Sequence, residues 1–273
     1  MKRYCYWTVV DGDYAEMAKA TIESARRVGV GKDFHVWADR SIPGATTHAA
    51  GGFDKWGCLF KLTFLRDAVR HLNYDYFVWF DTDTYFVRNP GDILRVMRDS
   101  PLHIAMECDV LSPLNRRPDW WSCPNEAFAL LMREMGVKSR QIFNVNGGLF
   151  IIHRDAIDTV FGLAMEFYNY CNERSYRFVD EPLFAYAMHM LCADVQAHTL
   201  RETTELWASD WTGEFKDRLP DHSPWWFTDY FTEERFKVSP AIVHAMRSKT
   251  ALIHHGKELG TDGPCQGSII RSS

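Results

Sequence analysis

The stretch Phe77-Val78-Trp79-Phe80-Asp81-Thr82-Asp83-Thr84-Tyr85-Phe86-Val87 runs from an unbroken apolar segment straight into two aspartates and then back into apolar residues. A short run of β-branched and aromatic side chains with no polar break reads as a strand buried on both faces. In extended chain, residues i and i+2 point the same way, so Asp81 and Asp83 can face one object. In open α/β sheets, ligands bind beyond the carboxyl ends of strands. Two carboxylates placed there form a hard oxygen site suited to Mg²⁺ or Mn²⁺. A metal so held bridges to a diphosphate and neutralises charge as the phosphate leaves. The alternative is an acidic surface turn. Two charges set between apolar runs are costly without a cation or donors to compensate them, which favours the metal site.

Working outward, the residues before this strand alternate between strand and helix patterns. Tyr4 to Val10 is a β-branched and aromatic run, broken by Asp11-Gly12-Asp13. Ala15, Ala18, Ile22 and Ala25 then recur at helical spacing, and Gly29 and Gly31 close the helix. Phe34 to Ala38 reads as a second strand, Ser41 to Gly52 as a loop, and Leu62, Leu65, Val69 and Leu72 as a second amphipathic helix. Tyr76 to Phe80 is the third strand. Strand–helix–strand–helix–strand implies parallel strands with crossover helices on the faces.

The second half is more mixed. Leu102 to Met106 and Gly148 to Ile152 read as strands, and Ile157, Val160, Phe161, Ala164, Tyr168 and Cys171 mark one helical face. Pro182 is expected at the first position of another helix, running to Leu191, and Ala251 to His254 is expected as a last strand. No linker is visible. The expectation is one α/β domain over residues 1–273 with a mixed, mainly parallel sheet flanked by helices. Residues 1–100 form its nucleotide- and metal-binding half and residues 101–273 its acceptor-binding half.

Composition bounds the function. The 273 residues are 46% apolar and 25% charged, enough for a sizeable core, with disorder expected only at Gly267 to Ser273. A net charge of −5 argues against a nucleic-acid partner, which needs a basic face, and Arg116-Arg117 is too short to supply one. The seven cysteines, Cys5, Cys58, Cys108, Cys123, Cys171, Cys192 and Cys265, are odd in number and irregularly spaced. They point to thiols in a reducing cytoplasm rather than to disulfides or structural zinc. Lys2 and Arg3 before an apolar run faintly mimic a signal peptide, but Asp11-Gly12-Asp13 interrupts it and a buried first strand is favoured. No segment approaches the ~20 apolar residues of a membrane span, so a cytoplasmic protein is expected, with peripheral membrane contact left open.

Asp81-Thr82-Asp83, continued by Tyr85-Phe86-Val87-Arg88-Asn89-Pro90-Gly91-Asp92-Ile93-Leu94, resembles the D-x-D segment of GT-A glycosyltransferases. The likeness is to the glycogenin-like and bacterial lipopolysaccharide galactosyltransferases among them. Asn144-Val145-Asn146-Gly147-Gly148-Leu149-Phe150-Ile151 is similar to their N-x-G-hydrophobic strand, and Asp180-Glu181-Pro182 to their acidic segment near the donor sugar. Ile253-His254-His255-Gly256-Lys257 resembles their C-terminal H-x-x-G-x-x-K metal and phosphate segment, with the histidines two and one residues before the glycine. The segments follow family order and span most of the chain.

The resemblance implies a GT-A-like, Rossmann-related fold and a metal-dependent transfer of a hexose from a UDP-linked donor to a glycan or other hydroxyl acceptor, with retention. Asp83 would be the principal metal ligand and Asp81 would touch metal and ribose. Either His254 or His255 would complete the site, a nitrogen ligand that suits Mn²⁺ better than Mg²⁺. Thr8 to Asp13, with Asp11, would contact the base and Tyr14 would stack on it. Lys61 would face the diphosphate beside Thr82, as would Lys257. Asn146 would bind sugar hydroxyls beside Gly147 and Gly148, where the backbone must turn tightly or admit a ligand. Glu181, in preference to Asp180, would stand beside the anomeric carbon, although both can cap a helix. Trp207, Trp211 and Trp225-Trp226-Phe227 offer a stacking platform for an acceptor sugar, or core packing.

Two rivals fit less well. A sugar-phosphate nucleotidyltransferase expects a glycine-rich basic loop after the first strand, where this chain carries acidic Asp11-Gly12-Asp13-Tyr14. A carbohydrate-binding module explains the aromatics but not the aspartate pair.

Overall fold

All residues from Tyr4 to Val10 and from Tyr76 to Phe80 are buried, as central strands covered on both faces must be. The computed structural model describes residues 2–50, 59–96, 101–192, 199–201, 205–211, 213–215, 218–220 and 224–259. The expected disordered tail, Gly51, Gly52, Cys58 and Cys265 lie outside the described residues.

The first half holds β1 (Tyr4–Val9), α1 (Gly12–Arg27), β2 (Phe34–Ala38), β3 (Thr46–Ala49), α2 (Phe60–Asp67), β4 (Tyr76–Phe80) and β5 (Thr84–Phe86). The middle holds β6 (Leu102–Asp109), β7 (Asp119–Trp120), β8 (Cys123–Pro124), α3 (Asn125–Glu134), β9 (Phe143–His153), α4 (Ile157–Glu173) and α5 (Asp180–Leu191). The remainder holds β10 (Thr199–Arg201), β11 (Trp207–Ser209), β12 (Trp225–Thr228), β13 (Arg235–Val238), β14 (Ile242–His244) and α6 (Lys249–Leu259).

The main sheet has the order β10-β6-β9-β4-β1-β2-β3. Only β9 runs against the rest: it pairs antiparallel with β4 and β6, and the remaining pairs are parallel. Period-2 alternation sorts the side chains into two cores. Tyr4, Tyr6, Val78 and Phe80 pack with Ala15, Ala18 and Ile22 of α1 on one face. Cys5, Trp7, Phe77 and Trp79 pack with Leu62, Val160 and Phe184 of α2, α4 and α5 on the other. The chain winds outward from β1 to β3 and returns to β4 on the opposite side of β1. The carboxyl ends of β1 and β4 therefore flank a switch point, the place where open sheets leave a crevice.

Several expectations are corrected. The loop expected over Ser41 to Gly52 contains β3, an edge strand whose Thr-Thr-His-Ala sequence buries only Thr47 and so carries no apolar signal. The helix expected through Leu72 stops at Asp67 and resumes as a 3₁₀ turn over Val69–His71. Pro182 is the third residue of α5, not the first, so Asp180 and Glu181 lie inside its first turn, and Val179 is the capping residue. The strand expected at Ala251 to His254 is helical and belongs to α6, whose buried residues Leu252 and Gly256 recur at i and i+4. A short apolar run does not by itself separate strand from helix.

A second sheet, β11-β14-β5, grows from the residues just after the aspartates. Here β14 lies antiparallel to β5 with His244 opposite Thr84, and β11 lies parallel to β14. Gly256 lets α6 cross α1 closely: a Cβ there would lie 1.9 Å from the Glu16 carbonyl oxygen.

Candidate active site

The aspartates lie on a clamped turn. Asp81 N–H donates to the Gly148 carbonyl of β9 at 2.8 Å, and Thr84 N–H closes the turn onto the Asp81 carbonyl at 3.1 Å. From α1, the Thr21 hydroxyl sits 2.8 Å from the carbonyls of both Thr82 and Thr84. On the far side, Ala245 N–H donates to the Asp83 carbonyl at 2.7 Å. Asp81 keeps the facing of Trp79, whose indole N–H donates to Asp81 Oδ1 at 2.8 Å.

Each carboxylate divides its oxygens between a lysine and a histidine. Lys61 Nζ lies 3.0 Å from Asp81 Oδ1, and Lys249 Nζ 3.0 Å from Asp83 Oδ2. The other oxygens turn to the same nitrogen, His244 Nε2, with Asp83 Oδ1 at 3.2 Å and Asp81 Oδ2 at 4.0 Å. Burial alone would raise the Asp83 carboxyl, but His244 and then Lys249 outweigh it and hold it well below the usual carboxylate range. His244 Nδ1 lies 3.5 Å from Ser209 Oγ, an outer partner of the kind that orients a ligating imidazole.

Asp81, Asp83 and His244 each offer a ligand atom, and these atoms lie within 4.8 Å of one another. Two carboxylates and an imidazole suit a divalent cation. The residues therefore fit such an ion, with the anionic charge that it would neutralise already balanced here by the two lysines.

A second acidic cluster adjoins the first through Lys61. Its Nζ lies 2.7 Å from Asp180 Oδ2 and donates to the Gly147 carbonyl at 3.1 Å. Burial would lower the Lys61 ammonium, but Asp180 and Asp81 override it and push it up. Glu181 accepts from Gly147 N–H and from the Trp121 indole N–H, each at 2.8 Å. Burial, then the neighbouring Asp180 charge, raises its carboxyl to about 7. Gly147 lies close under this convergence: a Cβ would stand 3.2 Å from Glu181 Cγ and Lys61 Nζ and 3.3 Å from Asp180 Oδ2, a tight fit.

A cleft of about 380 Å³ opens at the switch point. It is lined by Thr8, Val9, Val10, Asp11, Tyr14, Phe60, Lys61, Trp79, Asp81, Thr82, Asp83, Asp180 and Lys249. Thr8 Oγ1 is buried there with no hydrogen-bond partner among the described residues. Asp11 is the capping residue of α1 by position, yet its side chain makes no capping bond. Tyr14 is 51% exposed at the rim.

The structure thus gathers Thr8, Asp11, Tyr14, Lys61, Asp81, Thr82, Asp83 and Asp180 around one cleft, with Gly147, Gly148 and Glu181 next to it. Asn146 is buried, and its amide is held by the Glu107 carboxylate at 3.2 Å and by Gly148 N–H at 2.8 Å. His254, His255 and Lys257 are corrected, because α6 turns them away. His254 is exposed and pairs with Glu258 at 3.3 Å, His255 pairs with Glu23 at 3.3 Å, and Lys257 pairs with Asp13 at 3.4 Å. Gly256 serves the α1–α6 crossing. The expected aromatic platform is dispersed: Trp207 and Phe227 are core residues, Trp211 stacks on Tyr230, Trp225 packs on Phe215, and Trp226 is exposed beside Arg235.

Sequence reasoning missed His244, Lys249 and Trp121. One signal for the first two was available. Ile242-Val243-His244 repeats the apolar-run-into-polar pattern of the aspartate strand, and Lys249 follows His244 by five residues, near the six of an H-x-x-G-x-x-K segment. Nothing local marks Trp121.

No protein-family model matches this chain, and no curated protein sequence matches it. Solved structures do match. The apo structure of the bifunctional glycosyltransferase WbbM aligns over 96% of this chain and 50% of that one, with a TM-score of 0.58 and 12% identity. The chain therefore spans about half the length of that neighbour. The likeness is one of fold, a mixed and mainly parallel sheet flanked by helices in a GT-A-like arrangement, and one fold hosts many chemistries.

Proposed function

We propose that this chain is a metal-dependent glycosyltransferase that moves a hexose from a UDP-linked donor to a hydroxyl acceptor such as a glycan, with retention of configuration. The observation that carries the proposal is that Asp81 and Asp83 line a cleft at the β1/β4 switch point and converge there with buried His244, their ligand atoms within 4.8 Å of one another. In this reading those three residues hold Mn²⁺. When bound, the ion supplies positive charge to a departing diphosphate.

The chain's own residues take the remaining roles. Thr8, whose buried hydroxyl lacks a partner among the described residues, meets the nucleoside together with Asp11 and Tyr14. Lys249, beside Asp83, adds a cation on the diphosphate side. Asp180 forms an ion pair with Lys61, whereas Glu181 is held by the N–H groups of Gly147 and Trp121, and Glu181 is assigned as the carboxylate for the reacting sugar. Ionised, it stabilises positive charge that develops at the anomeric carbon. In this reading residues 1–100 carry the nucleotide and residues 101–273 the acceptor, with His244 and Lys249 reaching back to the metal. Among the described residues no helix is long and apolar enough to cross a membrane, and Cys5, Cys108, Cys123, Cys171 and Cys192 are free thiols, as a cytoplasmic setting allows.

The test is a donor panel. The protein is incubated with Mn²⁺ and UDP-, GDP- or dTDP-hexoses, and nucleotide release and UDP binding are followed. Mn²⁺-dependent UDP binding with turnover of a UDP-sugar is the expected result. Absence of binding and turnover with every donor would sink the proposal, and the anomeric configuration of the product, read by NMR, decides retention.

A further inference from the structure

The tip of the β7–β8 hairpin is built against local preference. Asp119 pairs with Pro124 and Trp120 with Cys123, so the connection is the two residues Trp121 and Ser122. Both have left-handed backbone, φ 54° and 58°. That is the geometry of a type I′ turn, which sequences normally fill with Asn-Gly or Asp-Gly. A bulky aromatic there is an outlier held in place by its surroundings, and such positions concentrate at ligand sites.

The surroundings are visible. Trp120 is buried and meets Phe128 edge to face at 5.0 Å, so the hairpin is rooted in the core. Asn125 ties its base, with Nδ2 donating to the Arg117 carbonyl at 2.7 Å and its N–H to that of Pro118 at 3.2 Å. Trp121 itself is 43% exposed, yet its indole N–H reaches Glu181 Oε2 at 2.8 Å. Trp121 is absent from the lining of the donor cleft and joins the site through Glu181. An indole fixed by its N–H, with ring area open to solvent beside a carboxylate, is apt for the apolar face of a pyranose, and the carboxylate for its hydroxyls.

We propose that Trp121 is the acceptor-side sugar platform of this site and the residue that positions Glu181. The proposal rests on the glycosyl-transfer reading for the word acceptor. The contact between a pyranose and the Trp121 ring stands apart from that reading.

The experiment uses the full chain labelled with ¹⁵N at its ten tryptophan indoles. Trp121→Phe identifies the Trp121 signal. Methyl hexopyranosides of glucose, galactose and mannose are titrated in with Mn²⁺ and UDP present. The expected result is a selective shift of the Trp121 signal, together with a pH titration of that signal near 7 that Glu181→Gln abolishes. Trp121→Asn suits the left-handed turn while deleting the ring. It is expected to keep or raise the melting temperature and to weaken pyranoside binding about tenfold, with Mn²⁺–UDP affinity within about twofold of the parent. A Trp121 signal that ignores every pyranoside while UDP is bound would overturn the proposal, as would a folded Trp121→Asn variant with unchanged pyranoside affinity. A protein that fails to bind UDP with Mn²⁺ but shows the pyranoside shift would overturn the donor reading and leave the platform standing.

Discussion

Asp83 Oδ1 and His244 Nε2 lie 3.2 Å apart although 161 residues of chain separate them. The pairing of β14 with β5 makes this contact. Thr84, next to Asp83, is the residue that His244 opposes in register. The first expected outcome follows from it. His244→Ala should weaken Mn²⁺ binding by about tenfold to a hundredfold, the range seen when a metal site loses a supporting group, or by more. His254→Ala should leave it unchanged, since that side chain is exposed on α6. Titration calorimetry with Mn²⁺ in the presence of UDP measures both, and equal losses in the two variants would refute the ligand assignment.

Lys61 is the cation common to both acidic clusters, touching Asp81, Asp180 and Gly147. Removing one partner of a buried ion pair leaves an uncompensated charge. Lys61→Met is therefore expected to cost about 3–5 kcal/mol of stability. Mn²⁺ should restore part of the loss, because it would neutralise Asp81. Chemical denaturation with and without Mn²⁺ decides this, and a variant as stable as the parent without metal would contradict it.

Glu181 links stability to pH. Its folded carboxyl is raised, first by burial and then by Asp180, to about 7 from an ordinary 4.5. Between those values the folded state holds the proton more tightly than the unfolded state does, so stability falls as pH rises through this window. The contribution is on the order of 1–3 kcal/mol. Glu181→Gln should flatten that slope. An unchanged slope between pH 4.5 and 7 in denaturant titrations would count against the raised carboxyl.

Gly256 and Lys257 separate packing from ligand binding. A methyl group at Gly256 would overlap the Glu16 backbone of α1, so Gly256→Ala should destabilise by about 1–3 kcal/mol or more through overpacking. Lys257→Ala, which loses only an exposed pair with Asp13, should stay within about 0.5 kcal/mol and bind UDP normally. Thermal melting alongside UDP titration tests both, and loss of UDP affinity in Lys257→Ala would reinstate that lysine at the phosphate.

What was legible in the chain was what local rules determine. Tyr4 to Val10, Phe34 to Ala38 and Tyr76 to Phe80 were readable as strands because a sheet covered on both faces demands unbroken apolar runs. The alternation with α1 and α2 then implied parallel strands, and the aspartates at the end of β4 implied a ligand site, because strand ends at a switch point are where such sheets open. Lys61, Asp180 and Glu181 were singled out only through the resemblance to GT-A enzymes, since no local pattern marks a polar residue on a helix as a site residue.

The sequence by itself thus determined the layers of the fold and two of the three residues that can hold a cation. Only the tertiary structure decided which histidine completes the set, which lysine stands beside Asp83, that Gly256 is a helix crossing, and that Trp121 meets Glu181. The reason is physical. Backbone period and burial act within a few residues, whereas His244 and Trp121 reach the site through strand pairing and hairpin packing across long loops. Closing such loops costs entropy that only the packing of the whole chain offsets, and no short window of sequence holds that balance.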